Sequence, residues 1–242
     1  MNAIEIKDLT KKYRDLVAVD KLTLSVKEGE LFSLLGVNGA GKTTTIKMLC
    51  TLTEADGGDA TLLGKSIRSE AAEVKRLIAL SPQETAVAAG LSVKENLELI
   101  CGVYGFKKEK TKKKTDELCS LLGLYEVSDK KAGKLSGGYK RRLSIAMALI
   151  SEPKILFLDE PTLGLDVIAR SDLWEVVRAL KGRVTVVMTT HYMEEAEALS
   201  DRIGIMKNGR LLIVDTAENI KASANTESFE EAFIKIVKGA EK

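Results

Sequence analysis

A glycine-rich stretch near the start of the chain has the residue types and the spacing that bind phosphate groups. Gly36, Gly41, Lys42 and Thr43 fit the pattern G-x-x-x-x-G-K-[ST]. Glycines let backbone N–H groups converge on phosphate oxygens, and the N-terminus of the following helix adds partial positive charge. We expect Lys42 to reach the β- and γ-phosphates and to serve catalysis there, and the Thr43 hydroxyl to bind Mg²⁺. The predicted nucleotide-binding residues of this loop are Gly36, Asn38, Gly39, Ala40, Gly41, Lys42, Thr43 and Thr44.

Two adjacent acids follow a hydrophobic run later in the chain. The run Ile155–Leu158 leads directly into Asp159 and Glu160. At the tip of a buried strand, Asp159 is placed to hold Mg²⁺, often through water. Glu160 is then placed to orient or deprotonate an attacking water molecule. The alternative is a pair of loop carboxylates that cap a helix.

His191 is the only histidine in the chain, and it follows an apolar segment at 184–190. A single histidine after a strand is more often structural than catalytic. Here the strand is predicted to end on the same side of a sheet as Asp159, which favours a catalytic role. An imidazole titrates near neutral pH, so His191 is a candidate to contact the γ-phosphate and respond to its charge.

Alternating strands and helices must position these groups, and hydrophobic periodicity predicts them on both sides of a helical region. The layout indicates an α/β core at 1–83 and 153–242, interrupted by a helical insertion at 84–152, all within a single domain at 1–242. The predicted strands are 4–9, 22–26, 30–35, 60–63, 78–81, 155–158, 184–188, 203–206 and 211–214. The predicted helices are 43–49, 92–104, 115–122, 136–150, 217–222 and 229–237.

Composition indicates a globular protein and excludes several classes. The 242 residues are 45% hydrophobic and 30% charged, and no apolar run reaches the ~18 residues of a membrane span. The N-terminus lacks the pattern of a signal peptide. A net charge of +2 argues against broad binding to nucleic acid. Three cysteines, odd in number and without metal-site spacing, are expected to be reduced thiols in the cytosol.

A lysine-rich run forms the one strong local charge. Six lysines between Lys107 and Lys114 surround Glu109. Such a run would suit anionic lipid or an acidic partner. The favoured interpretation is a solvated loop that leads into the helix carrying Leu118, because short like-charge clusters usually only solvate a surface.

A further helix start, Leu135-Ser136-Gly137-Gly138, distinguishes this chain from other phosphate-loop proteins. Together with the phosphate loop, the acid pair and His191, it resembles the ATP-binding cassette ATPases over essentially the whole chain. The resemblance implies a phosphate-loop NTPase (RecA-like) α/β core, with an N-terminal antiparallel β subdomain and an inserted α-helical subdomain.

The resemblance also assigns roles to single residues. Tyr13 is similar to the aromatic residue that stacks on adenine, and Gln83 to the glutamine that touches Mg²⁺ or the attacking water. Asp166 resembles an acidic loop residue that crosses to a second subunit, and His191 resembles the family's switch histidine. The implied residues of the site closed by the second subunit are Ser136, Gly137, Gly138 and Asp166.

The implied activity is ATP hydrolysis with Mg²⁺, in a head-to-tail dimer of two identical or two different ATPase subunits. The resemblance further implies an integral-membrane permease on a separate polypeptide, attachment to the cytoplasmic face of the membrane through it, substrate export and no nucleic-acid partner. The alternative is a soluble ATPase of the same family that acts on ribosomes or DNA. The short gap at 43–134, with no room for a long coiled coil, favours transport.

Tyr139 departs from the family pattern, in which the signature usually ends in glutamine. Its side chain is not expected to contact the γ-phosphate directly, so hydrolysis is expected to survive. A regulatory module that binds nucleotide without turnover would require a degenerate site. The presence of both Glu160 and His191 argues against that class.

Overall fold

The computed structural model describes residues 1–240, and within them ten strands form two sheets. Nine helices cover or connect the sheets over the same residues. The strands are β1 (Asn2–Tyr13), β2 (Leu16–Lys27), β3 (Leu31–Gly36), β4 (Gly57–Leu62), β5 (Lys65–Ser66), β6 (Ile78–Ser81), β7 (Ile155–Asp159), β8 (Thr185–Thr190), β9 (Arg202–Lys207) and β10 (Arg210–Asp215). The helices are α1 (Lys42–Leu49), α2 (Ala71–Leu77), α3 (Val93–Val103), α4 (Lys108–Leu121), α5 (Gly137–Leu149), α6 (Val167–Leu180), α7 (Met193–Leu199), α8 (Ala217–Ser223) and α9 (Phe229–Gly239).

The larger sheet has six strands in the order β10-β9-β3-β8-β7-β6. All its neighbouring strands are parallel except the β9–β10 hairpin, which the Asn208-Gly209 turn closes. Strands β3, β7 and β8 are buried at every residue, which explains why their sequences are apolar apart from serine, threonine and the terminal Asp159. Because parallel strands end at one edge of a sheet, the residues that follow these strands meet there.

The smaller sheet is antiparallel, in the order β2-β1-β4-β5. Ile4 and Ile6 are buried on its inner face and join a core cluster with Phe32 and Phe157 of the larger sheet. Strands β1 and β2 extend beyond their predicted limits because their pairing continues through the polar Lys11 and Lys12, where periodicity carries no signal. This extension brings the β1–β2 hairpin beside the phosphate loop.

Helices α3, α4 and α5 lie between β6 and β7 in the chain and share one hydrophobic cluster with the outer face of the larger sheet. Helix α3 begins with a capping box, in which Ser92 Oγ accepts from the Glu95 N–H at 3.2 Å and Glu95 Oε2 accepts from the Ser92 N–H at 2.7 Å. Helix α5 begins after Ser136, which opens the signature stretch.

The lysine-rich run is helical rather than a loop, so that expectation was wrong. Lys108 to Lys114 form the first turns of α4, whose predicted start was residue 115. Those turns are largely exposed and polar, so they lack the apolar stripe that predicts the later part of the helix, which carries Leu118. Helices α2, α6 and α7 also fall outside the predicted elements.

The three cysteines, Cys50, Cys101 and Cys119, are free and buried. Desolvation by burial is the largest cause of the raised pKa of each thiol, so they serve as small apolar packing residues. Within residues 1–240, none of the helices combines the length and the apolar character that crossing a bilayer requires.

Candidate functional site

A cleft of about 650 Å³ opens where strands β3, β7 and β8 end. It unites predicted residues from five separate parts of the chain. The predicted site residues that line it are Tyr13, Asn38, Gly39, Ala40, Gly41, Lys42, Thr43, Thr44, Gln83, Glu160 and His191.

The phosphate loop wraps around the side chain of Lys42, the first residue of α1. Its Nζ donates to the carbonyl of Gly36 at 2.8 Å and to that of Val37 at 3.2 Å. Gly41 has a φ of 102°, and a Cβ there would lie 2.4 Å from the Ala18 carbonyl oxygen. Only glycine therefore fits this position. Gly36 does not line the cleft, but its carbonyl holds the lysine at the cleft floor.

Asp159 lies beneath the loop, with its carboxylate bonded to two hydroxyl groups. Its Oδ1 accepts from Thr43 Oγ1 at 3.0 Å and from Thr189 Oγ1 at 2.5 Å. Asp159 and Thr189 are neighbours across the parallel β7–β8 pair, which fixes this arrangement. A carboxylate and a hydroxyl are hard oxygen donors of the kind that Mg²⁺ prefers beside phosphate oxygens. The donor set at Thr43 and Asp159 therefore fits magnesium.

Glu160 occupies a strained position between a cation and an imidazole. Its φ of 44° lies in the left-handed region, which is uncommon for a residue with a side chain and recurs at functional sites. Its backbone N–H donates to Thr189 Oγ1 at 3.0 Å. Its Oε1 lies 3.5 Å from Lys42 Nζ, and its Oε2 lies 3.1 Å from His191 Nδ1. The carboxylate is thus fixed from both sides at the mouth of the cleft.

The contact between Glu160 and His191 defines the state of the imidazole. An ionised carboxylate only accepts hydrogen bonds, so His191 Nδ1 carries the proton in this contact. His191 follows β8 and lines the cleft. Its Nε2 is left to act as a second polar group on the same ring.

Gln83 lines the cleft from the end of β6, and a residue that the sequence did not single out holds its segment. Arg141 of α5 donates to the carbonyl of Pro82 at 2.6 Å and to that of Gln83 at 2.5 Å. Burial lowers the pKa of Arg141, and the charges of Asp159 and Glu195 oppose that shift. Nothing in the sequence distinguished Arg141 from its basic neighbours, because the contact spans 58 positions of the chain.

Four predicted residues lie away from this cleft in the single chain. Ser136 caps α5, and its Oγ accepts from the Tyr139 N–H at 3.5 Å. Asp166 caps α6, and its Oδ1 accepts from the Ala169 N–H at 2.9 Å. Gly137 and Gly138 begin α5, and Gly138 lies against Ala169 of α6. The signature stretch and the Asp166 loop are therefore neighbours.

Further lining residues were not predicted. Leu16 and Val17, at the start of β2, are exposed apolar side chains beside Tyr13 in the cleft wall. Asn208 also lines the cleft and lies in the turn between β9 and β10. The apolar residues Leu16 and Val17, close to Tyr13 in the sequence, are a local signal that could have extended the predicted adenine surface. No local signal identifies Asn208, because its position depends on packing between distant segments.

Comparison with known sequences supports a single family. A family model described as "ABC transporter" matches residues 19–163. The chain is 39% identical over 241 residues to the probable multidrug ABC transporter ATP-binding protein YbhF of Escherichia coli K12, and covers 41% of that protein. It is 41% identical over 222 residues to the daunorubicin/doxorubicin resistance ATP-binding protein DrrA of Streptomyces peucetius, covering 67% of it. The matches include 97% and 91% of the present chain, respectively. The chain thus spans well under half the length of YbhF.

A solved structure shares the fold. The dimeric post-hydrolysis state of the ATP-binding cassette MJ0796, bound to ADP and Pi, is similar with a TM-score of 0.78 and 26% sequence identity. The match covers 88% of this chain and 98% of that one. The α/β architecture with an antiparallel sheet beside a mainly parallel one is therefore the one expected from the sequence.

Proposed function

This chain belongs to the ABC transporter family, and on that premise we propose that it is the ATP-hydrolysing subunit of a membrane exporter. The observation that carries the proposal is the position of Glu160 between Lys42 and His191 at the mouth of the phosphate-loop cleft. A carboxylate, a cation and an imidazole that converge there supply the groups that phosphoryl transfer to water needs.

Each group has a defined task in the proposed reaction. The loop N–H groups and Lys42 bind the phosphates, so Lys42 exchanges its carbonyl partners for phosphate oxygens. Glu160 orients the attacking water and accepts its proton, while Lys42 and His191 hold the carboxylate in place. His191 and Gln83, which both line the cleft, contact the γ-phosphate region.

Mg²⁺ is the metal we propose for this site, held by Thr43 and Asp159 with Gln83 as a further ligand. When bound, it would neutralise charge on the phosphate oxygens. Thr189 supports the arrangement by bonding Asp159, since a hydrogen-bonded carboxylate keeps its orientation. We further propose that Tyr13 stacks on the adenine ring, with Leu16 and Val17 extending the apolar surface.

We propose a head-to-tail dimer in which Ser136, Gly137, Gly138 and Asp166 of one subunit close the nucleotide cleft of the other. Two observations support this arrangement. These residues lie at two adjacent helix starts rather than in their own chain's cleft. Next to Asp166, Val167 and Ile168 are 77% and 76% exposed, an unusual exposure for adjacent large apolar side chains. Identical and different partner subunits both fit this scheme.

The proposed partner is an integral-membrane permease on a separate chain, which attaches this subunit to the cytoplasmic face of the membrane. YbhF is described as a probable multidrug transporter protein and DrrA as a drug-resistance protein, which favours export. We place the permease contact on 84–96, beside Gln83, where it could sense the nucleotide. A soluble ATPase that acts on ribosomes or DNA is the alternative, and we propose no nucleic-acid partner.

Glu160→Gln tests the catalytic assignment. It removes the base while preserving shape, so we expect hydrolysis to fall by about 10²–10⁴-fold with ATP binding retained. The variant should also accumulate as an ATP-dependent dimer in size-exclusion chromatography. Unchanged turnover would exclude Glu160 as the base.

Isolation of the tagged chain from mild-detergent extracts of its native membranes tests the partner. A co-purifying multi-span permease is the expected result, and a ribosomal or DNA-bound partner would favour the alternative. Ala86→Glu should reduce the recovered permease without changing nucleotide binding, because Ala86 is exposed in the proposed contact. Val87 is less suitable because it packs against the helical core cluster.

A further inference from the structure

Helix α6 contacts the histidine loop through a stack of three side chains. The Arg170 guanidinium carbon lies 4.5 Å from the centroid of the Tyr192 ring. The Tyr192 ring centroid lies 4.2 Å from that of His191, with the planes tilted by 38°. The opposite end of this stack is the contact of His191 with Glu160. The imidazole is therefore held on one side by the base and on the other by Tyr192.

The same helix begins at the loop that the proposed dimer uses. Asp166 caps α6, and its carbonyl accepts from the Arg170 N–H at 2.9 Å. Arg170 is thus one turn from the cap, and a shift of the Asp166 loop moves the base of its side chain. Because packed side chains transmit displacement over such short distances, the stack connects the loop with the imidazole.

A second contact keeps the two helices in register. Trp174, one turn after Arg170, donates from Nε1 to Glu195 Oε1 at 3.3 Å. Glu195 lies three residues beyond Tyr192 and is completely buried. Motion of α6 is therefore passed to the start of α7 rather than absorbed between the helices.

The guanidinium is not fixed by bonds at every nitrogen. Arg170 Nε is buried and has no hydrogen-bond partner among the residues that the structure describes. Its hold on Tyr192 depends on the face of the ring, a contact that weakens with small displacements. Buried polar groups without a partner are uncommon in folded proteins, so this nitrogen marks Arg170 as a side chain that is held less firmly than its burial requires.

We infer that Arg170 and Tyr192 are positioning residues that set the orientation of His191 according to the state of the Asp166 loop. The inference rests on the proposed function, because the event to which His191 would respond is the closure of a partner subunit on the Asp166 loop. Tyr192 acts through its ring, and Arg170 acts through Tyr192.

His191 gives a direct readout because it is the only histidine in the chain. In tag-free protein labelled at histidine, the imidazole NMR signals report on this residue alone, and no ATP hydrolysis is needed. Asp166→Ala, which removes the cap of α6, should shift these signals. In an Arg170→Met background the same substitution should shift the signals by about half as much or less, because the contact between Arg170 and Tyr192 is then absent. An equal shift in both backgrounds would overturn the inference.

Steady-state kinetics test the consequence for turnover. Tyr192→Leu should lower kcat about tenfold and leave the KM for ATP within about twofold, because orientation rather than binding is lost. Tyr192→Phe keeps the ring and should restore most of the activity. As a single substitution, Arg170→Met should lower kcat. Combined with Tyr192→Leu it should cause no further loss, since both substitutions remove the same contact. Additive losses, or losses in KM only, would contradict the proposed connection.

Arg178→Met is the matched control on the same helix. Arg178 lies two turns from Arg170, pairs with Glu175 and meets α7 only near its far end, at the Ala198 carbonyl. The substitution should change neither the NMR signals nor kcat. Thermal unfolding of every variant establishes that it is folded. If wild-type protein fails to hydrolyse ATP, the proposed function fails. If it hydrolyses ATP but Asp166→Ala does not shift the His191 signals, only the present inference fails.

Discussion

The Nζ atom of Lys42 lies 3.5 Å from Oε1 of Glu160, and this ion pair joins the phosphate loop to the end of strand β7. Only 4% and 10% of the two side-chain surfaces are exposed. Removal of one partner of a buried pair is costly, because the remaining charge keeps its desolvation penalty. The lysine proposed to bind phosphate therefore also stabilises Glu160, the proposed base, before nucleotide arrives.

Lys42→Met should lower the free energy of unfolding by about 3 kcal/mol in the absence of nucleotide, because it leaves the Glu160 carboxylate without its cation. Lys42→Met/Glu160→Gln should recover at least half of this loss, since no uncompensated charge remains. Urea denaturation of the two variants and of Glu160→Gln alone measures the effect. Independent, additive losses would show that the ion pair does not contribute to stability.

Arg141→Met should destabilise the protein by about 1–3 kcal/mol, because two carbonyls at Pro82 and Gln83 lose a charged donor. The ATPase rate should fall with it, as the Gln83 segment loosens. Arg142→Met is the matched control. Arg142 pairs at the surface with Asp172, whose side chain is 55% exposed, so its loss should cost about 0–1 kcal/mol. Equal effects of the two substitutions would exclude a special role for Arg141.

The stability of the protein should depend on Glu195 in a pH-specific way. Burial raises the pKa of this carboxyl, and the opposing effects of the neighbouring Thr190, Thr162 and Trp174 side chains and of the Arg170 charge do not cancel it. The unfolded chain releases this proton above about pH 4.3, whereas the folded chain retains it to higher pH. Glu195 therefore costs stability progressively as pH rises from that value to its folded pKa.

Glu195→Gln removes this dependence. The difference in Tm, variant minus wild type, should increase as pH rises from about 4.5 to 8, whatever its value at low pH. Differential scanning fluorimetry across this range provides the measurement. Glu194→Gln, at the exposed neighbouring position, is the control and should show a flat difference. A flat difference for Glu195→Gln as well would mean that its pKa is not raised.

Tyr139→Gln should change ATPase turnover by less than about tenfold, or ~1.4 kcal/mol in the activation barrier. The Tyr139 ring is partly buried against the helical core cluster and lies 5.4 Å from the guanidinium carbon of Arg142. It does not line the nucleotide cleft of its own chain. Steady-state ATPase assays at saturating ATP decide the matter. A larger change in either direction would indicate that the ring takes part in closing the dimer.

Local sequence was sufficient for the features that depend on neighbouring residues. The phosphate loop requires glycine at position 41 because of its own backbone angle, and the apolar run before Asp159 marks a strand buried on both faces. The strand-end positions of Asp159, Glu160 and His191 follow from the parallel order of β7 and β8. These signals were enough to predict the α/β class and many, but not all, of the residues that line the cleft.

Contacts between distant segments decided the rest. Arg141 reaches Gln83 across 58 positions, and Arg170 meets Tyr192 only because α6 packs beside α7. The lysine-rich turns of α4 are helical although they carry no apolar stripe. Periodicity records which face of an element is buried, but it does not record what buries it. The sequence by itself therefore determined the chemistry of the phosphate site, and the tertiary structure determined which side chains hold that chemistry in place.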